Sequence, residues 1–428
     1  MNKYDIIVAG GGFAGAAAAI SAARLGKSVL LFENANCLGG AAANCLINPF
    51  MPNSTKINEN RVELSAGIFT EICTKLKEFR KLTGEHHNEE YGNIFSEEHL
   101  KIILNRMMAE AGVELLFHAV LCSVDCFENK IKNVTVATKS GNIQLYADYF
   151  IDATGDAELA FRAGCGYRLG REEDNLCQPM TLCFRVANVD VVSFYQELPV
   201  IQKLYARCQR EGKIKNPRED ILVFRLTQKN VLHFNSTRIV KLDPTNPFDI
   251  TRAEIEAREQ VLELYLFLKD NAKSFKDAEL FSTASQIGVR ESRMIDGEYF
   301  LTGKELVNCA RFKDSIACGN YDIDIHNPEG SGTSHHFFSP GEYYEIPYRS
   351  LVPKAVTNLL VAGRCISVDH EAQASIRIMP IVCCIGEAAG VAAAVSAEDM
   401  VNVADVDIKS VQEILVENGA VIHVKRQN

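Results

Sequence analysis

Six residues constrain this chain more than any others: Gly10-Gly11-Gly12-Phe13-Ala14-Gly15, which follow the apolar run Ile6-Ile7-Val8-Ala9 and open an alanine-rich stretch. The order is strand, glycine turn, helix. In such a turn Gly10 permits the sharp bend, Gly12 lets the backbone approach a pyrophosphate, and Gly15 lets helix and strand pack closely. The spacing predicts a helix over residues 13–25, ended by Gly26, and a second strand over 28–32. Glu33 ends that strand, eighteen residues after Gly15, where a carboxylate accepts hydrogen bonds from an adenosine ribose and repels a 2′-phosphate. The first forty residues therefore read as the binding site for the ADP part of a dinucleotide.

The rest of the chain extends that beginning. Leu64, Ile68, Ile72, Leu76 and Phe79 recur at helical spacing. Ser96 predicts an N-cap ahead of a stripe made by Leu100, Ile103, Leu104, Met107, Met108 and Ala111, closed by Gly112. A hairpin turns at Lys139-Ser140-Gly141-Asn142, and its return strand runs into Ala153-Thr154-Gly155. After about Cys165 the texture changes, and segments 181–186, 222–226 and 231–234 alternate as antiparallel strands do. Thr251 and Glu254 have capping-box spacing, which predicts a helix from there to about Asp270. Residues 358–362 restore the strand-to-glycine pattern of the N-terminus. The expected fold is α/β: a Rossmann-like, mostly parallel nucleotide domain (1–165 and 355–428), with a mixed α+β substrate domain containing an antiparallel sheet inserted at 166–354.

Composition removes several function classes. Forty-five basic residues against 55 acidic ones give a net charge of −10, and no basic cluster breaks the balance, so a nucleic-acid partner is not expected. Fourteen cysteines are scattered without zinc spacing, and strand-like residues from Tyr4 leave no room for a secretory leader. Reduced thiols and a cytoplasmic location are expected. The segment 379–397 is apolar, but Pro380, Glu387 and two glycines suit a buried helix better than a membrane span. No metal is expected: His335-His336 lies in a Gly/Ser-rich loop without ligands at suitable spacing.

Beyond the glycine turn, Gly39-Gly40 follows Glu33, while Ala153-Thr154-Gly155 and Ala362-Gly363 each end an apolar strand. With the stretches IDATGDAELA, GREEDNLCQPMTL, QIGVRES, IDIHNP, IPYRSLVP and LLVAGRCISVDHEAQASIRIMP, the chain resembles FAD-dependent oxidoreductases related to fumarate reductase flavoprotein subunits. The resemblance runs in order through nearly the whole chain. It implies FAD as cofactor; non-covalent attachment is expected because no residue beside the ring is an evident tether. Phe13, Ala14 and Asn34 then belong to the adenosine end, and Gly39, Gly40 and Ala41 line the pyrophosphate and ribitol. Leu121 or a neighbour touches adenine through its backbone. Ala153, Thr154, Gly155, Asp156, Gly363, Arg364 and Ile376 lie near the cofactor. Many relatives carry Thr or Ser after the glycine pair, whereas this chain has Ala41-Ala42-Ala43; Asn44 or Asn48 is the candidate replacement.

Flavin carries the redox chemistry, so the remaining polar candidates concern substrate. These are Arg290, His326, Arg349, His370 and Arg377, with Arg349 ranked first because it precedes re-entry into the nucleotide domain. Several guanidinium groups on one flavin face suit a small anionic substrate. Cys37 and Cys45 lack the spacing of a flavin-linked disulfide, and no second dinucleotide fingerprint is visible. The expected activity is hydride transfer between substrate and flavin N5, with an undefined electron partner and a homo-oligomer possible. The alternatives are a flavin monooxygenase or epoxidase reduced by NAD(P)H, and a non-catalytic FAD-fold binding protein.

Overall fold

Pairing of the first strand with its neighbours sets the architecture. The computed structural model describes residues 3–84 and 93–424. Lys3–Ala9 runs parallel between Val29–Phe32 and the second half of Gly141–Asp152. Glu114–Leu116 extends the sheet beyond Val29–Phe32, and Leu359–Val361 pairs in parallel with residues 150–152. Gly141–Asp152 is long enough to serve two sheets' worth of partners. Its first half makes an antiparallel hairpin with Lys130–Thr138, which in turn pairs with Val120–Phe127. The carboxyl ends of the first strand, Gly141–Asp152 and Leu359–Val361 thus lie side by side, the position where open α/β sheets bind ligands.

Strand alternation distributes the core. Ile6 and Val8 pack on one face with the helices, while Ile7 and Ala9 pack on the other with Phe150, Val134 and Val136. On the first face the helix Phe13–Arg24 lies against Met379–Asp399. Their approach is closer than any side chain permits: a Cβ at Gly386 would overlap Ala14, and one at Gly390 would overlap the backbone of Ala18. Among the described residues, Met379–Asp399 is the one helix long and apolar enough to cross a membrane, and 83% of its apolar window is buried in protein.

A second core lies between Met180 and Ile287, built on a four-stranded antiparallel sheet of Val223–Arg225, Leu232–Phe234, Phe184–Ala187 and Glu279–Thr283. The helices Val191–Arg210 and Pro247–Asn271 cover it. This core is smaller than the insertion expected from the sequence. Met294, Leu301, Ile316, Tyr344 and Leu351 join the nucleotide-domain core instead. Tyr344 shows why: its hydroxyl hydrogen-bonds Ser375 at 2.7 Å, tying its strand to the helix just before Met379–Asp399. A second departure concerns the helix expected to open at Thr251. It begins at Pro247, four residues earlier, because Asn246 is its N-cap and accepts from the Phe248 amide at 2.9 Å. Thr251 lies inside and donates back to the Pro247 carbonyl.

Candidate cofactor and substrate site

Glycine geometry forms the floor of a cleft at the sheet's carboxyl end. Gly10 has φ +97°, and a Cβ there would lie 2.5 Å from the Ala153 carbonyl oxygen. Gly40, at φ +51°, brings its Cα so close to Gly12 that a Cβ would sit 2.8 Å from the Gly12 Cα. The helix Phe13–Arg24 has Gly12 as N-cap with no side-chain cap, so its first-turn amides are left for an anion. Glu33 is buried at the adenosine end. Its carboxylate accepts from the Gly11 amide at 2.5 Å and from the Ala35 amide at 2.8 Å, which fixes it with lone pairs to spare.

The cleft encloses about 1020 Å³ of empty space, counted out to its open mouth. Gly12, Phe13, Ala14, Glu33, Asn34, Gly39, Gly40 and Ala41 line one side. Ala153, Thr154, Gly155, Asp156, Gly363 and Arg364 line the other. Arg364 pairs with Asp156 at 2.6 Å and leans against Gly155, where a Cβ would meet its guanidinium at 2.8 Å. Ser292 donates to the same Asp156 carboxylate at 2.6 Å. Beneath them Asp152 is fully buried and accepts from the Thr154 hydroxyl and the Thr154 and Ala160 amides. Burial pushes its carboxyl up, although those donors oppose the shift. It pins the turn that presents residues 153–156. Gly10 and Gly15 shape this turn region without lining the cleft.

Three expected contacts lie elsewhere. Leu121 is inside the Val120–Phe127 strand, paired with Val136 in the core; His118 and Ala119 are the residues whose amides reach Ala35 and Glu33. Asn48 turns its amide to the Phe95 carbonyl at 2.6 Å, leaving Asn44 in the cleft wall at the Ala41-Ala42-Ala43 departure. Ile376 is fully buried, and its neighbour Arg377 faces the cleft. The sequence reading missed Gln286, Ile287 and Val289 as wall residues, and Met379 and Val382 from the first turn of Met379–Asp399. QIGVRES carried that signal, but only its arginine drew attention. Cys45 also lines the wall, and burial pushes its thiol up to about 12, so it is a poor nucleophile.

At the far end Arg377 lines the cleft, and Arg290 lies near enough to feel its charge. Arg377 caps the helix His370–Ile376; its Nη2 is 3.5 Å from Asp324 Oδ2, and its buried Nε has no partner among the described residues. Arg290 donates to the Pro179 carbonyl at 2.5 Å. Burial, with the charges of Arg377 and Arg218, pulls its guanidinium down to about 9. Burial would raise Asp324, but His326, Arg377 and Arg290 together hold its carboxyl far below the usual range. His326 sits between Arg238 (3.1 Å from its Nδ1) and Asp324 (3.4 Å from its Nε2). Burial and Arg290 push it down to about 3, so it is neutral. Arginine only donates, hence Nδ1 accepts and Nε2 carries the proton.

His370 is held differently. Its Nδ1 is 2.7 Å from Oε1 of the fully buried Glu291, whose other oxygen accepts from the Gln178 amide. Its Nε2 is buried and has no partner among the described residues. His370, Gln373 and Arg377 follow one face of their helix, and Gln373 donates to the Arg290 carbonyl at 2.8 Å. Arg349 does not join this group. It forms a two-point pair with Asp314 (2.9 and 3.2 Å) and covers the Tyr299 ring, half exposed, which reverses its expected rank. Asp322, Asp324 and His335 approach within 4.8 Å of one another, but Asp324 already serves Arg377 and His326, and Asp322 holds His335 Nδ1 at 2.6 Å.

No curated protein matches the chain significantly. Several solved flavoenzyme structures align along most of it. A geranylgeranyl bacteriochlorophyll reductase-like protein from Thermoplasma acidophilum is 13% identical, with 97% of this chain and 83% of that one covered, at a TM-score of 0.46. The p-nitrophenol 4-monooxygenase PnpA from Pseudomonas putida DLL-E4 is 11% identical over 98% and 84%, at 0.47. The flavin-dependent brominase Bmp2 is 13% identical over 97% and 83%, at 0.45. Likenesses this distant say nothing about substrate. The sequence profile of the FAD-dependent oxidoreductase family matches residues 5–415, almost the whole chain. The chain belongs to that family: it is an FAD-dependent oxidoreductase.

Proposed function

We propose that this oxidoreductase moves a hydride between a small anionic substrate and N5 of its flavin, and that it is functionally related to the fumarate reductase flavoprotein subunits. The observation that carries the reading is Arg377, which lines the end of the cleft beside Asp324, with the buried Arg290 near enough for its guanidinium to be depressed by the Arg377 charge. Burying like charges together is costly unless an anion completes the group. FAD, when bound, supplies the two-electron chemistry. Gly12, Gly40 and the first turn of Phe13–Arg24 would hold its pyrophosphate, and Glu33 would take the adenosine ribose. The first turn of Met379–Asp399 lines the cleft, and its positive end would stabilise negative charge on a bound ring.

Arg377 and Arg290 bind and orient the substrate anion. Neutral His326 donates to Asp324 and keeps that carboxylate turned toward Arg377. His370, with Glu291 holding its Nδ1 proton, keeps Nε2 free to accept or return a proton. The scattered, unpaired thiols suit a reducing cytoplasm.

Anaerobic bleaching of the flavin band by hydroxy acids, amino acids and enoates tests the reading, with the Arg377→Lys and Arg290→Lys proteins run alongside. Lysine keeps the charge but loses the planar fork, so kcat/KM should fall roughly ten- to hundredfold, about 1.5–3 kcal/mol, while FAD content stays normal. Bleaching by neutral substrates alone, or unchanged kinetics in both variants, would rule out the anion site. Rapid, saturable bleaching by NADH or NADPH would move the assignment to the monooxygenase class.

A further inference from the structure

The helix Pro247–Asn271 has two apolar faces where a globular surface helix needs one. Ala253, Ala257, Val261, Leu264 and Leu268 pack onto the inserted sheet. Turned to solvent are Phe248 (79% exposed), Ile255 (61%), Leu262 (45%) and Leu266 (50%). The outer residues are not scattered. Phe248, Ile255 and Leu262 recur every seven positions, and Arg252, Glu259 and Leu266 each follow four later. Together they alternate by four and three along five turns, the seam of a helix pair.

We propose that this seam is a dimer interface, on which a second copy of the chain lays the same helix antiparallel. The interleaved charges select both occupant and direction. A parallel pair would set Arg252 against its own copy and Glu259 against its own copy, two repulsions inside the seam. The antiparallel arrangement that sets each Arg252 level with the partner's Glu259 also brings Ile255 against its own copy and Phe248 against the partner's Leu262, leaving Leu266 at the rim. Arg252 already leans on Asp249 at 2.7 Å within its own helix, so it is held near the seam's edge. Beyond the C-terminal half, Tyr265 and Lys269 reach the Ala278 carbonyl, just before the free-edge strand Glu279–Thr283. Leu280 and Phe281 on that strand are exposed as well. A dimer held by one helix pair and such a rim should be reversible and concentration-dependent.

Sedimentation equilibrium of the FAD-loaded protein over the micromolar range reads the outcome. Wild type should move from monomer to dimer. Ile255→Glu and, separately, Leu262→Lys should raise the dimer dissociation constant at least about tenfold. Unchanged circular dichroism and flavin absorbance will show that both remain folded. Arg252→Glu or Glu259→Arg alone should weaken the dimer, and the double variant should restore it. A wild type that is monomeric throughout overturns the interface, as does a dimer untouched by Ile255→Glu and Leu262→Lys. A double variant no tighter than either single one overturns the antiparallel arrangement.

Discussion

Glu33 shows how much one residue can carry. Its carboxylate takes two backbone amides, Gly11 and Ala35, and still offers lone pairs to the cleft. Glu33→Lys replaces an acceptor with a cation and leaves the Gly11 amide without its partner. FAD affinity should fall by roughly 1.5–3 kcal/mol, and Glu33→Gln, which keeps one acceptor oxygen, should lose less. Titrating apoprotein with FAD measures both; equal affinity for wild type and Glu33→Lys would disprove the ribose assignment. At this scale the sequence was readable where chemistry depends on backbone, because Gly10, Gly12, Gly15 and Glu33 fall at fixed offsets from a strand. It was not readable for the arginines. Arg349 and Arg377 look alike as letters beside conspicuous motifs, and what separates them is Asp314, thirty-five residues from Arg349, which takes its fork. No local pattern encodes that partner.

Among elements, the helix pair Phe13–Arg24 and Met379–Asp399 was the most legible. The glycines that marked 379–397 as a buried helix lie at the contact, where Gly386 and Gly390 meet Ala14 and Ala18. The packing reverses an ordinary rule. Gly→Ala inside a helix normally stabilises by up to about 1 kcal/mol, since alanine loses less backbone entropy. At Gly386 the added methyl overlaps the backbone of Ala14, a residue that itself lines the cleft. Gly386→Ala should therefore destabilise, by at least the 1–3 kcal/mol typical of overpacked cores, roughly, and lower FAD occupancy as well. Thermal unfolding with a flavin-to-protein absorbance ratio tests it; a rise in Tm at full occupancy would contradict the packing argument. Helix starts were read less well. Asn246-Pro247 is a strong N-terminal signal, cap then proline, yet the Thr251/Glu254 spacing was taken in its place. Glu254 is used tertiarily, accepting from the Ile287 amide at 2.7 Å in the cleft wall.

At the scale of the whole molecule, the return of a strand-to-glycine pattern at residues 358–363 pointed back to the first sheet, which Leu359–Val361 joins beside residues 150–152. The extent of the insertion was hidden, because segments such as Ser315–Gly319 look alike whichever core they join. One carboxylate tests how these long-range contacts hold together. Glu387 on Met379–Asp399 is 1% exposed and accepts from the Ile68 amide at 3.0 Å, satisfying the start of a helix 319 residues away whose N-cap, Gly67, has no side chain to do so. Burial pushes its carboxyl up from an ordinary 4.5 to about 7, with the Ile68 amide and Arg24 pulling the other way. A group whose folded-state pKa is raised holds its proton more tightly folded than unfolded. Its stabilising contribution is complete below about 4.5 and is lost as pH rises toward 7, a change of up to roughly 3 kcal/mol. Glu387→Gln keeps a carbonyl oxygen for Ile68 and cannot ionise. Near about pH 5 variant and wild type should unfold at similar temperatures, and by about pH 8 the variant should be the more stable. A pH-independent difference between the two would mean that Glu387 is ionised in the folded protein throughout, its charge stabilised by Arg24 and the Ile68 amide.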